Sequence, residues 1–549
     1  MKLRVLLQLL MLTYCSIWGT VLIGQNILLD ENFQDWQSIT SFDDKGDSSG
    51  LDIESISIAN DSENIYFNIK LDREISIQDD NNITLSIETD DFTMTFNFGD
   101  KEGRIFQSGF DPTIFQNDIG LVSSPSVTSD EFEILMKRDW QNEFVSNTLR
   151  GDLQISIQNG NADRLPNSGT ITYQLTDDIP IEIPSYNLEK PSDSDLRICT
   201  YNVRRDNLFE TDTRAAYSNV LKIIDADILA FQEINDHTDV QTLSRVLNVF
   251  NALDNTTPWH SSKRGNDIVI LSKYPITFAR EIAGNGVFVI NKNGQDILLI
   301  NVHLACCEND NGRENEINAL LSFIKDAREG NENYDLQPDT PIIITGDTNF
   351  VGNSDQVTAL QNGFFLGNSS ADDFNIDWDD TGLADSKPFT TGFNSTYTWF
   401  SPTSRFFAGR LDYIFYSDSN MEALNAFVLV ARGLTQEELL LYNLEPTDTG
   451  VASDHLPVIT DFKLLNTSAT TELDPKPFLL YPNPASTHIQ LSDAIEWDQV
   501  SIYNSSGALI TVDRSQIVDI SSFSPGSYFA IFKNKKGQSV AKEPFIVKR

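Results

Sequence analysis

Partway along this chain the spacing of apolar residues changes, and the change divides what the chain can become. Over 26–178 apolar and polar residues alternate in short runs, as at 51–58, 64–70, 83–89 and 92–98, between turns rich in Asp, Asn and Gly. A period of two with frequent turns predicts an antiparallel β-sandwich there. Residues 179–194, with Pro180, Pro184 and Pro191, read as a linker. From Asp195 the pattern is mixed. Residues 196–201, 227–232, 341–345 and 411–416 are apolar enough for buried strands. Tyr217, Val220, Leu221 and Ile224, and then Ile317, Leu320, Leu321 and Ile324, repeat at helical spacing. Asn293-Gly294 between the apolar runs 287–290 and 297–303 is a hairpin signal. Interleaved strands and helices with hairpins predict an α/β domain over 195–465, in which helices cover mixed sheets. A second linker follows at 466–477, and 478–549 returns to short strands and turns. At 549 residues the chain exceeds what one core supports, so several domains are expected.

Charge limits the choice of partners. With 80 acidic and 39 basic residues the net charge is −41, which repels polyanions at long range. A broad basic face for nucleic acid is excluded, so a phosphate-bearing substrate must be met by local cations, a bound metal above all. Residues 1–24 begin with Lys2 and Arg4 and continue apolar from Val5 to about Gly24, which reads as a signal peptide or, alternatively, an uncleaved anchor. Beyond it stand Cys199, Cys306 and Cys307, an odd number that rules out a disulfide scaffold. Cys199 sits in an expected buried strand; Cys306 and Cys307 are adjacent, either free thiols or a strained bonded pair.

In the central segment, apolar strands repeatedly end in polar, metal-competent residues. Asn202 follows Tyr201, Glu233 follows Gln232, and His303 closes 297–302. Asp347 and Asn349 follow 342–346, Asp412 opens the strand at Tyr413, and Asp454-His455 precede Leu456. Strand ends deliver side chains to one rim of a sheet, where loops build sites. The hard oxygen donors suit Mg²⁺ or Mn²⁺. In this order, Tyr-Asn, Gln-Glu, Asn-Val-His, Gly-Asp-x-Asn, Arg-x-Asp-Tyr and Ser-Asp-His, the set resembles the endonuclease/exonuclease/phosphatase superfamily. The resemblance implies a four-layered α/β sandwich, two packed mixed sheets with outer helices, and metal-dependent cleavage of phosphate esters.

It also implies roles. Glu233 would be the main metal ligand, with Asn202 near the same ion and Asp454 completing that side. Asp347 would orient or deprotonate the attacking water, and Asn349 would bond a phosphoryl oxygen. His455, oriented by Asp412, would contact the scissile phosphate and share proton transfer, and His303 would donate to a phosphate oxygen or the leaving group. Whether Asp347 or His455 is the base stays open. Arg204 stands where some nucleases of this group carry an acid; it, Arg205 and Arg410 are either local cations for an anionic substrate or solvated loop residues. His237, His260 and His488 are given ordinary surface or core roles.

The C-terminal segment carries Tyr481-Pro482-Asn483-Pro484, then 500–504, 518–521 and Pro525-Gly526-Ser527-Tyr528. It resembles the sorting domain of the type IX secretion system, which implies a small β-sandwich, that machinery as partner, and a secreted or surface-attached product. Phe33-Gln34-Asp35-Trp36 and Asn64-Ile65-Tyr66-Phe67 resemble carbohydrate-binding modules of the ninth family, which leaves the N-terminal sandwich as a spacer or a glycan-contacting module. The functional expectation is an extracellular nuclease or phosphodiesterase. A phospholipase C-type enzyme is the alternative, with Phe406-Phe407 as the only candidate membrane-contacting hairpin, and a non-catalytic binding protein is a third reading.

Overall fold

The computed structural model describes residues 27–107, 109, 111–141, 146–177, 179–367, 372–465, 480, 482–491, 497–504, 508–535 and 539–548. The expected leader and the 466–477 linker lie outside these residues. The chain divides into two compact units at Leu465.

In the larger unit, two antiparallel sheets of five and seven strands come first, spanning Ser41–Asp43 to Ile171–Gln174. Alternation places Ile56, Phe67 and Ile134 of one sheet against Leu85, Phe96 and Ile155 of the other in one dry core, a β-sandwich. The next stretch builds two six-stranded sheets. The first runs in the order His260–Arg264, Ile268–Ser272, Ile228–Gln232, Leu196–Asn202, Val458–Leu464, Met421–Val428. The second runs Ile276–Ile282, Asn285–Lys292, Gln295–His303, Ile342–Asp347, Asp412–Tyr416, Ala384–Asp385. Each sheet has one parallel pair, Leu196–Asn202 with Ile228–Gln232 and Gln295–His303 with Ile342–Asp347, so both are mixed.

The alternation of side chains explains the layering. Ile198, Ile270, Leu299, Ile343 and Ile414 face inward and meet between the sheets. Cys199, Tyr201 and Phe231 point outward onto Tyr217, Val220 and Leu221 of the helix Arg214–Ile224. On the far side Val287, Leu298 and Ile300 receive Ile317, Leu320 and Ile324 of the helix Asp310–Glu329. The result is the expected four-layered α/β sandwich. The hairpin turn falls at Asn293 and Gly294, both with positive φ (55° and 96°), between paired Lys292 and Gln295.

A polar bridge crosses the dry layer below the site. Gln232 Nε2 donates to Asn301 Oδ1 at 2.6 Å, and Asn301 Nδ2 donates to the Phe231 carbonyl at 3.1 Å, which fixes one sheet's register against the other.

The N-terminal sandwich packs on this domain through the loop before Asp412. Phe407 is buried in the sandwich core beside Phe96 and Phe98, and the Gln116 and Asn117 amides donate to carbonyls of Ser404 and Pro402. The Phe406-Phe407 pair is therefore no free hairpin: Phe406 is exposed under the Lys101 ammonium, and Phe407 is core. Arg410 is likewise buried, paired with Asp385 and stacked on Tyr413, and so is not an exposed cation for substrate.

The smaller unit pairs Leu509–Asp513, Gln499–Asn504, Gly526–Lys533 and Ser539–Val547 in one sheet and His488–Gln490 with Ile517–Asp519 in another, around Ile489, Val500, Ile502 and Phe532. Among the described residues no helix is long and apolar enough to cross a membrane.

Candidate active site

Register decides which side chains meet. In the second sheet His303, Asp347 and Asp412 are cross-strand partners on three adjacent strands, His303 opposite Asp347 and Asp347 opposite Asp412. Neighbouring strands lie about 5 Å apart, so three strand ends deliver three polar groups in one row. In the first sheet Asn202 is paired with Gln232, and Glu233 is the next residue. Since the two sheets pack face to face, these ends form one rim.

The backbone at the rim is held in uncommon conformations. Arg204, Arg205 and Asp206 are consecutive left-handed residues (φ 49°, 50° and 60°), and Glu233 and Asn349 are left-handed too (63° and 50°). Such non-glycine positions cost about 1 kcal/mol or more each and persist where surrounding bonds fix them. Those bonds are present. The Arg205 amide donates to Glu233 Oε2 at 2.7 Å, the Asp206 amide to the Glu233 carbonyl at 2.9 Å, and Asp206 Oδ2 accepts the amides of Asn235 and Asp236. His237 closes this loop on Asp206 and stacks on Phe209, a structural part. Gly346 (φ 135°) is obligatory, because a Cβ there would lie 2.1 Å from the Val302 carbonyl oxygen.

Asp347, 1% exposed, is the centre of the site. Its Oδ2 accepts from Asn202 Nδ2 at 2.9 Å and lies 3.7 Å from His303 Nε2 and 3.6 Å from His455 Nε2. Asn202 Nδ2 also donates to Glu233 Oε1 at 3.0 Å, so one amide gathers both carboxylates, and the Arg204 amide bonded to Asn202 Oδ1 fixes which way that amide points. Each imidazole has its own carboxylate. His455 Nδ1 is 2.9 Å from Asp412 Oδ2, which also accepts the Thr398 hydroxyl at 2.8 Å. His303 Nδ1 is 2.5 Å from Asp267 Oδ2.

Burial opposes the charge on both rings, but the carboxylates prevail. Asp412 and Asp347 push His455 up to about 10, and Asp267 and Asp347 push His303 up to about 9. Burial raises Asp412, while His455 holds it down.

The cleft over these groups encloses about 270 Å³ and is lined by Arg205, Glu233, Asn235, His303, Cys306, Asp347, Asn349 and His455. Two sets of side chains in it bring ligand atoms within 4.8 Å of one another: Glu233, His303 and Asp347, and Asp347, Asp412 and His455. Paired carboxylates, held by neutral amides beside imidazoles, are a donor set that fits a hard divalent cation.

Of the expected residues, seven of the eight converge: Asn202, Glu233, His303, Asp347, Asn349, Asp412 and His455 are placed in or directly beneath the cleft. Asn349 Nδ2 donates to the Leu304 carbonyl at 3.0 Å, and its amide to Asp347 Oδ1. Asp454, the eighth, is in neither ligand set; its Oδ2 lies 3.8 Å from Arg204 Nε, and its charge adds to the carboxylates that raise His455. Asp267 is the residue that sequence reading missed; its signal was Asn266-Asp267 directly before the apolar strand Ile268–Ser272, the same motif-at-strand-end logic read at the opposite end. Cys306 and Cys307 are free and exposed, and Cys199 is buried.

Residues 199–455 match the Endonuclease/Exonuclease/phosphatase family, and residues 479–548 match the Secretion system C-terminal sorting domain. That second domain marks the chain for export, ending secreted or attached at the outer surface. No curated protein matches the chain. Similar solved structures include truncated Caenorhabditis elegans TDP2, at 14% identity over 49% of this chain and 97% of that one, with a TM-score of 0.32. A Staphylococcus aureus beta toxin variant with bound magnesium ions aligns at 15% identity over 49% and 99%, TM-score 0.31. An endonuclease/exonuclease/phosphatase family protein from Leptotrichia buccalis aligns at 17% over 49% and 100%, TM-score 0.32.

Proposed function

We infer, from the premise that the central domain belongs to the endonuclease/exonuclease/phosphatase family and the C-terminal module is a sorting domain, that this chain is an exported, divalent-metal-dependent phosphoesterase cleaving phosphodiesters, nucleic acid foremost. The observation that carries the reading is Asp347 Oδ2, set between the Asn202 amide and the Nε2 atoms of two histidines that each own a carboxylate.

Glu233 and Asn202 would hold Mg²⁺ or Mn²⁺, with Asp347 at the inner edge. Such an ion, when bound, neutralises phosphate charge and makes a water easier to deprotonate. The chain's own residues supply the rest. Asp347 orients the attacking water and is placed to take its proton, since its oxygen is the one acceptor both imidazoles approach. His455, kept in one orientation by Asp412, holds a phosphoryl oxygen and shares the proton. His303, held by Asp267, donates to another phosphate oxygen or to the leaving group. Asn349 adds a neutral donor, and Arg205, exposed in the cleft, meets a neighbouring anionic group of the substrate. Asp454, whose charge acts on His455 and which faces Arg204, would complete the metal side.

The nucleic-acid reading is favoured over a phospholipase C reading because Phe407, half of the Phe406-Phe407 pair that was the candidate membrane-contacting hairpin, is spent inside the N-terminal sandwich. The same contact favours a supporting role for that sandwich over glycan capture. Turnover of plasmid DNA, sphingomyelin and sugar phosphates with Mg²⁺, compared between wild type and Asp347→Ala, tests the assignment. Expected is DNA cleavage lost by about 10³-fold or more in the variant. Turnover confined to sphingomyelin, or unchanged by the substitution, overturns it.

A further inference from the structure

Cys306 and Cys307 have no part in the chemistry above, yet they occupy the wall of the same cleft. Cys306 lines it beside His303, Asp347 and Asn349, and both thiols are free and exposed. Their sulfurs face each other across a single peptide link, Cys307 Sγ toward Cys306 Sγ. The backbone beneath them is pinned at every step. The Leu304 amide donates to the Asp347 carbonyl at 3.0 Å, and the Leu304 carbonyl accepts from Asn349. The Ala305 amide donates to Glu316 at 2.8 Å. Arg313, fully buried, gives Nη1 to the carbonyls of Ala305 and Cys307, both at 2.8 Å. Cys307 itself is left-handed, with φ 63°. Two thiols that a fixed loop holds against each other need little ordering to react together.

We propose that Cys306 and Cys307 form a vicinal dithiol site on the cleft wall, which closes to a disulfide when the exported chain meets a disulfide-bearing oxidant and, while open, takes a soft thiophilic metal or metalloid. In closing, two S–H bonds break and one S–S bond forms. The two electrons and the two protons pass to the oxidant, whose own S–S bond breaks to give two thiols. The sorting domain supplies the setting, because a chain sent outside the cell leaves the reducing pool that keeps thiols open. The open pair offers soft sulfur donors beside a site of hard oxygen donors, so a thiophilic cation held there would obstruct the cleft next to His303. Closing the pair removes those donors and leaves Glu233 and Asp347 to hard cations.

The test uses the full chain and needs no substrate for its first readout. Incubation with oxidised glutathione, then alkylation of the folded protein and mass measurement, should give a chain about 2 Da lighter that carries no label on Cys306 or Cys307. The reduced chain should take label on both, with Cys199 labelled only after unfolding. One equivalent of phenylarsine oxide should add to the reduced chain and lower phosphodiester turnover about tenfold or more. It should leave the oxidised chain and a Cys306→Ser/Cys307→Ser variant untouched, with Mg²⁺-dependent turnover in that variant near wild type. Continued labelling of both cysteines after oxidation, or equal arsenical uptake by the double variant, overturns the proposal. Mass and adduct are read whether or not the phosphoesterase assignment holds, so failure of one leaves the other distinguishable.

Discussion

Two imidazole–carboxylate pairs flank Asp347, and they differ in depth more than in geometry. His455 and Asp412 have side chains 8% and 0% exposed, whereas His303 and Asp267 are 24% and 14% exposed. Both pairs reach across the two sheets. Asp412 begins a strand of the second sheet while His455 leads into a strand of the first; Asp267 leads into the first while His303 ends a strand of the second. The buried pair is further fixed by the Thr398 hydroxyl, and Asp412 Oδ1 has no partner among the described residues. The outer pair borders solvent and the Glu233 side of the cleft, and Asp267 Oδ2 also accepts the Glu233 amide at 3.3 Å. Similar atoms thus sit in different surroundings: the inner ring is buried and held through a second bond to its carboxylate, and the outer ring is nearer solvent. A buried charge pair loses much when one partner is removed, and an exposed pair loses little.

Replacing the rings themselves separates the two pairs most widely. His455→Ala should cut kcat for a phosphodiester by about 10³- to 10⁴-fold, and His303→Ala by about 10²-fold, each with KM changed far less. Steady-state kinetics on a DNA substrate at saturating Mg²⁺ measures both. Equal losses would mean that depth does not distinguish them.

Replacing the carboxylates gives a smaller effect and adds a pH signature. Asp412→Asn should lower kcat about 10²-fold and Asp267→Asn about 10-fold, since each leaves its ring in place without an anionic partner. Both rings titrate in the folded protein above the ordinary histidine value of 6.5, at about 10 for His455 and about 9 for His303. A raised histidine contributes stability that is complete below pH 6.5 and is lost as pH rises through the folded value. In chelator, therefore, the Tm of the wild-type chain should fall between pH 6.5 and about 10 on this account. That alkaline fall should shrink more in Asp412→Asn than in Asp267→Asn. A Tm profile identical in all three proteins would detach the rings' charge from these carboxylates.

The same contrast explains what could be read from the sequence. Residues that end a long apolar strand, such as Asn202, His303 and Asp347, declare themselves because strand length and register place them at one rim. Asp412 was legible from Arg-x-Asp-Tyr at a strand start. Asp267 was not, because Gly265-Asn266-Asp267 also spells an ordinary turn, and only the packing of one sheet over the other brings it to His303. Helix faces were legible from spacing alone, as at Tyr217, Val220 and Leu221. What lay beyond sequence was tertiary packing: Phe407 seated in the neighbouring sandwich, and Arg410 paired with Asp385 of its own domain instead of open to substrate. The left-handed run Arg204-Arg205-Asp206 was equally hidden, since neither arginine favours it and bonds to Asn202, Glu233 and Asn235 hold it.

That run also separates the two arginines, and the smallest expected effect follows from it. Arg204 lies 3.8 Å from Asp454, while Arg205 lines the cleft with no ion pair among the described residues. In a chain of net charge −41 an unpaired guanidinium at the mouth of an acidic cleft is worth most to a substrate with more than one negative group. Arg205→Ala should raise KM for DNA about 3- to 10-fold with kcat nearly unchanged, and the penalty should fade at high salt, as screened contacts do. On the proposed roles, the same variant should act almost as wild type does on a phosphodiester that carries a single negative charge, which offers Arg205 no second anionic group. Since the Arg205 amide bonded to Glu233 survives the substitution, Mg²⁺ affinity should not change. An equal loss on both substrates would place Arg205 with the inner pair, as part of the machinery that meets the reacting phosphate.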